Sequence, residues 1–251
     1  MSTVVIDFLP DCAYRYGEGW TVVAIDVIRA TTTAMTAAAR GRRVFPVPSI
    51  EAALPVAAVL DRPVLCGELG GNMPFGFDIT NSPVAVASRV DIHRAMILLS
   101  SSGTQLIHNA AGADALFLAS LRNYTALIRH LAARGQPVAV IGAGTRGEFR
   151  EEDQRCCSLI AEGLLDFGFT ATDDLTRRTV QRWQGTGVDS WQHSKSVDYL
   201  RRSEQLHDLD FILNHIDDLD LVFAVVDGEV LTCPVGTREV RNPAPLRREF
   251  A

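Results

Sequence analysis

Seven short apolar runs, spaced by helical patterns and polar loops, limit this chain to one class of fold. They are TVVIDF (3–8), TVVAIDV (21–27), RVFPV (43–47), PVLC (63–66), AMILL (95–99), ALFLA (115–119) and PVAVI (137–141). Helical patterns fall between them at about 30–40, 50–60, 104–111 and 123–134, and a further one follows at about 151–165. Such alternation predicts βαβ units, and so a mostly parallel sheet with helices on both faces. Gly41 stands where a helix C-cap is wanted, and Ser82-Pro83 reads as an N-cap followed by a first-turn proline. From about 166 the sequence turns polar and helix-rich, and apolar runs return at LVFAV (221–225) and EVLTCPV (229–235). The expectation is a three-layer α/β/α fold with a mostly parallel mixed sheet, a helix-rich C-terminal excursion and a final strand pair. No repeat or linker marks a boundary, so 1–251 is one α/β domain or two closely packed lobes, about 1–165 and 166–251.

Composition removes several functions. At 251 residues and 47% hydrophobic, the chain has enough apolar mass for a large core. Its net charge of −6 is spread over short stretches with no basic block, which argues against nucleic acid as a partner. No basic leader precedes an apolar stretch, and no run approaches the roughly 20 apolar residues of a membrane span. A soluble, cytoplasmic protein is expected, with no membrane partner. The five cysteines are scattered without disulfide or zinc spacing and read as reduced thiols in the core. Lysine occurs once, at Lys195, so a Walker A loop is excluded and only one Schiff-base lysine is available. The six histidines show no metal spacing. No cysteine has an arginine six positions on, and Ile28 stands where a DxD nucleophile pair needs its second aspartate.

In an open α/β sheet ligands bind beyond the carboxyl ends of the strands, and those positions are unusually polar here. Asp26 and Arg29 follow the second run: a carboxylate there suits a divalent cation and a guanidinium suits a phosphate, although a buried Asp–Arg pair would use the same corner. Thr31, Thr32 and Thr33 suit either helix capping or ligand hydroxyls. The stretch GELGGNMPFGFDITNSP (67–83) is long for a strand-to-helix connection and carries Glu68, Asp78 and Asn81. Glu68 and Asp78 are hard oxygen ligands of the kind Mg²⁺ takes, while a structural reading has Glu68 capping loop amides. Ser100, Ser101, Ser102, Gly103 and Thr104 have the composition of a phosphate cradle built without lysine. Gly142, Gly144 and Gly147 imitate a dinucleotide fingerprint, yet no acidic residue ends a second strand about twenty positions on. Glu151, Glu152 and Asp153 suit a helix N-terminus, or add a carboxylate to a pocket.

Taken together, AIDVIRATTT, GELGGNMPFGFDITNSP, SSSGT, NYTALI from Asn123 and GAGTRGEFREED resemble, in order, the motifs of the 2-phosphosulfolactate phosphatase family. The resemblance extends more loosely through SVDYLRRSEQLHDLDFILNHIDDLDLVFAV. It implies a Mg²⁺-dependent phosphomonoester hydrolase acting on a small anionic 2-phospho compound, as in coenzyme M biosynthesis. On that reading Asp26, Glu68 and Asp78 hold Mg²⁺, and Arg29 clamps the phosphoryl group. Thr31, Asn81, the 100–104 segment and Asn123 bind substrate, and Glu152 or Asp153 accepts a proton. Whether water or Asp26 attacks phosphorus stays open. Leu69 stands where the family usually has arginine, Thr80 replaces a glycine and Ser102 an asparagine. A missing arginine removes a charge-assisted bond worth about 1.5–3 kcal/mol to an anionic substrate. The runner-up readings are an NAD(P)-binding enzyme using the Gly142–Gly147 run and a non-catalytic phosphate-ligand binder. A homodimer is expected from the habits of soluble enzymes.

Overall fold

The computed structural model describes residues 2–236. Strands β1 (Thr3–Phe8), β2 (Thr21–Ile25), β6 (Ala115–Ala119), β7 (Val138–Gly142), β8 (Thr170–Ala171), β9 (Val222–Val226) and β10 (Glu229–Cys233) form one sheet in the order β10-β9-β6-β2-β7-β1-β8. All its pairings are parallel except those of β9, which runs antiparallel to both β6 and β10. The final strand pair is therefore woven into the main sheet through β6. The short β8 and a 3-10 helix at Pro10–Arg15 have no apolar run to announce them.

The expected single sheet is in fact two. Strands β3 (Val44–Val47), β4 (Val64–Gly67) and β5 (Met96–Leu99) pair only with one another, parallel and in the order β3-β5-β4. What allows this is helix α1 (Ala30–Ala39), whose sequence ATTTAMTAAA is buried at nine of its ten positions. Alanine and threonine are small enough for both sheets to approach the helix from opposite sides, so it serves as a spacer. Helix α2 (Ile50–Ala58) covers the far face of the small sheet with Ala53 against Val47, Ile97 and Leu99.

The remaining helices are α3 (Pro83–Ala87), α4 (Gly103–Asn109), α5 (Tyr124–Arg134), α6 (Glu151–Asp166), α7 (Asp174–Trp183), α8 (Lys195–Arg202) and α9 (Leu206–Asn214). Along β2, Val23 and Ile25 enter the core under α5 to α9, while Val22 and Ala24 enter the core shared with α1. A strand buried on both faces reads as a continuous apolar run, which is why β2 shows no alternation. It stops at Ile25, short of the expected 27, because side chains take the next two amides: Asp26 N–H donates to Thr31 Oγ1 (2.9 Å) and Val27 N–H to Asp153 Oδ1 (2.8 Å). Ser82 caps α3 by accepting from Ala85 N–H, and Gly41 ends α1 with φ +82°. Among the described residues no helix is long and apolar enough to cross a membrane.

Candidate active site

A cavity of about 820 Å³ opens at the carboxyl ends of β2, β4, β5 and β7. Asp26 and Arg29 line it after β2, Glu68 after β4, Ser101 and Ser102 after β5, and Thr145 and Arg146 after β7; helix α8 supplies the remaining wall.

Asp26 is buried at the floor and accepts a hydrogen bond from the Ala30 amide. Burial, aided by the charges of Glu68 and Glu152, pushes its carboxyl from 3.8 up to about 7, against the Ala30 amide and Arg29, which pull it down. Gly103 makes this packing possible: a Cβ there would lie 2.3 Å from Asp26 Oδ2 and 2.6 Å from Ala30 Cβ. Beside it stand two more buried carboxylates from the first turn of α6. Asp153 accepts from Val27 N–H and from Gly144 N–H (3.1 Å), bolting the end of β2 to the end of β7. Glu152 is bonded by Ser196 and Ser194, but its Oε2 is buried with no partner. Burial raises both groups, and for Asp153 the charges of Asp26 and Glu152 raise it further.

Arg29 is nearly inaccessible and forms an ion pair at 2.5 Å with Asp208 of α9, and its Nη1 also donates to Gln205. Ser82 donates to the other oxygen of Asp208. A buried ion pair does stitch this corner, then, but Arg29's partner is Asp208 rather than Asp26, and Arg29 still faces the cavity.

Several expected ligands are placed elsewhere. Asp26 and Glu68 line the same cavity, near enough for Glu68's charge to raise Asp26, but Asp78 does not join them. Glu68 borders the cavity, yet its oxygens accept from Ser101 N–H (2.7 Å), Ser101 Oγ (3.0 Å) and Gly71 N–H (2.7 Å), so it caps the loop. Asp78 lies outside the cavity, accepting from Leu65 N–H (2.8 Å) with Arg94 at 3.9 Å. Thr31 spends its hydroxyl on the backbone of Asp26 and Ala119. Asn123 is fully buried and bonds Ser120, Leu118 and Leu221 in the β6–α5 corner. Ser100 and Thr104 bond each other's turn, and the Ser100 hydroxyl accepts from Gly103 N–H. Only Ser101 and Ser102 of that segment line the cavity, and Ser102 makes no side-chain cap. Asn81 does line it, with a buried Oδ1 that has no partner.

The glycine run at 142–147 builds a turn instead of a dinucleotide cradle. Gly144 sits at φ +59°, where a Cβ would lie 2.4 Å from the Glu148 carbonyl, and Gly147 sits at φ +76°. The helix that follows opens with three carboxylates, which would repel a pyrophosphate.

Among the described residues no three His, Cys, Asp or Glu side chains gather to hold an ion. Mg²⁺ needs fewer: it is commonly held by one or two carboxylates together with water and substrate oxygens. Asp26, the orphaned oxygen of Glu152 and the orphaned carbonyl of Asn81 are hard donors of that kind.

The sequence reading expected helices in this region but did not place α8 at the site. Lys195 bonds Glu148 at 2.7 Å, Tyr199 donates to the Gly71 carbonyl at 2.7 Å, and Ser196 and Arg202 face the cavity. The one signal available was the lone lysine next to a basic, helix-forming stretch.

A family model described as 2-phosphosulpholactate phosphatase matches residues 10–228. A protein of Symbiobacterium thermophilum named "Probable 2-phosphosulfolactate phosphatase" is 40% identical over 227 residues, which is 85% of this chain and 94% of that protein. Proteins of the same name are 36% identical over 185 residues in Deinococcus radiodurans (72% of this chain, 75% of that protein) and 31% identical over 236 in a Synechococcus strain (90% and 93%).

Proposed function

The chain belongs to the 2-phosphosulfolactate phosphatase family, and on that premise we propose that it hydrolyses a small anionic 2-phospho ester, 2-phosphosulfolactate or a close relative, with Mg²⁺. The observation that carries the reading is the cavity floor: a buried Asp26, the unpartnered Asn81 carbonyl and the Asp208-held Arg29 line it, and Glu152, buried outside the lining with one unpartnered oxygen, is near enough for its charge to act on Asp26. Asp26 and Glu152, with the Asn81 carbonyl, would hold the cation. When bound, the cation supplies charge neutralisation for the phosphoryl oxygens as the ester bond breaks.

The chain's own residues do the rest. Arg29 is anchored through Asp208, so its guanidinium meets the phosphoryl group in one orientation and loses little freedom on binding. The Ser102 hydroxyl adds a donor from the opposite strand end. Without the cation, burial keeps Asp26 protonated to about pH 7, so taking up the cation at neutral pH displaces its proton. Asp153, saturated by two backbone amides, positions the corner and does not touch substrate. Leu69 does not line the cavity, although its neighbours Glu68 and Gly70 do, and the proposed phosphoryl pole does not draw on position 69.

Phosphate release from a panel of small phosphomonoesters that includes 2-phosphosulfolactate, with Mg²⁺ and with chelator, tests this. Wild type should need the metal, and Asp26→Asn should fall at least a hundredfold. Equal rates in all four arms would refute it.

A further inference from the structure

The cavity holds more positive charge than the phosphoryl pole uses. Of its cations, Arg29 is paired with Asp208, while Arg150 and Lys195 share Glu148. Its remaining carboxylates are engaged too: Glu68 by Ser101 and Gly71, Asp198 by Arg201. Arg146 and Arg202 are left, their side chains making no ion pair or hydrogen bond to any described residue. One comes from the β7–α6 turn and the other from the end of α8.

Both side chains are exposed, but each springs from a defined backbone position. Thr145 and Glu148 exchange backbone hydrogen bonds (2.8 and 3.1 Å) around a two-residue turn in which Arg146 and Gly147 both have positive φ, +53° and +76°. Turns of this kind take Asn, Asp or Gly at their first central position, and an arginine there holds its side chain in a backbone region that branched and long residues avoid. Non-glycine residues kept in such conformations cluster at functional sites. The backbone that carries Arg202, the last residue of α8, is held by the two ties of that helix, Lys195 to Glu148 and Tyr199 to the Gly71 carbonyl, and its side chain is exposed at the cavity.

We propose that Arg146 and Arg202 form a second anion clamp that selects substrates bearing a carboxylate or sulfonate in addition to the phosphoryl group. Both anions offer coplanar oxygen pairs that match the guanidinium fork. The inference rests on the phosphatase reading only in placing the phosphoryl group at Arg29.

Two ligands that differ by a single charge test it: 2-phospholactate, and isopropyl phosphate with a methyl in place of the carboxylate. Calorimetric titration with Mg²⁺ present gives the ratio of their Kd values for wild type, Arg146→Gln, Arg202→Gln, the double variant and Arg146→Gly. Wild type should prefer phospholactate at least tenfold and the double variant less than threefold, with the single variants between. Arg146→Gly relieves the backbone, so if the residue were merely structural this variant would keep the full preference; the clamp requires that its preference fall to the intermediate value of Arg146→Gln. No preference in wild type, an unchanged ratio in the double variant, or binding of neither ligand overturns the proposal. Phosphate release is followed in the same samples: preference without release would sink the hydrolase reading and leave the clamp standing.

Discussion

Asp26 and Asp208 are both buried carboxyl groups, but burial holds Asp26 protonated while Asp208 is paired with Arg29, so each is tested in its own way. Folded Asp26 keeps its proton to about pH 7, whereas in the unfolded chain it loses it near the ordinary 3.8. Between those values the native state binds more protons, so stability falls as pH rises from about 4 to 7. The Tm of metal-free wild type should therefore drop across that window relative to Asp26→Asn, and parallel curves would contradict the raised carboxyl. Asp208 instead neutralises Arg29. Asp208→Ala leaves a buried guanidinium unpaired and should cost about 3–5 kcal/mol in urea unfolding at unchanged m. Asp26 and Arg29 were legible because strand ends advertise polar residues, and Asn81 because it sits in a loop too long to be idle. Asp208 was not: nothing local in LHDLD distinguishes it from a solvated helix face. Asp78 misled for the same reason, since a carboxylate in a glycine-rich loop looks alike whether it meets a cation or the Leu65 amide.

The turn between β7 and α6 shows how an element can imitate a motif without its chemistry. Gly144 and Gly147 answer to left-handed φ values, and Gly144 also to the Glu148 carbonyl, while Gly142, inside β7, answers to the close approach of Asp153 and Phe8, so three local demands produce the spacing GxGxxG. Gly144→Ala should destabilise by about 1–3 kcal/mol, because the new methyl meets backbone that cannot yield, and chemical denaturation would read it. Helix α8 is the element that sequence reasoning could not place, since its ties run to residues 47 and 128 positions away, at Glu148 and Gly71. Tyr199→Phe removes one of those ties. It should cost about 0.5–1.5 kcal/mol and raise KM more than it lowers kcat, as the wall it supports binds substrate without touching the reacting bond. Strand positions, by contrast, were readable to within a residue or two, because apolar runs buried on both faces have no alternative use.

At the scale of the molecule, the division into two sheets was illegible because a strand's sequence does not say which partner it takes. The small residues of α1 carried the only hint. If the floor carboxylates grip Mg²⁺, the ion binds the folded state alone and raises Tm. The gain should be larger at pH 8 than at pH 6, where Asp26 must first surrender a proton; a gain independent of pH would count against Asp26 as a ligand. The lone lysine has a further use. Lys195 is exposed and stands on the lip of the cavity. An amine-acylating dye therefore meets one side chain in the entire polypeptide, apart from any terminal amine, and its emission would report on whatever enters the mouth without a single engineered handle.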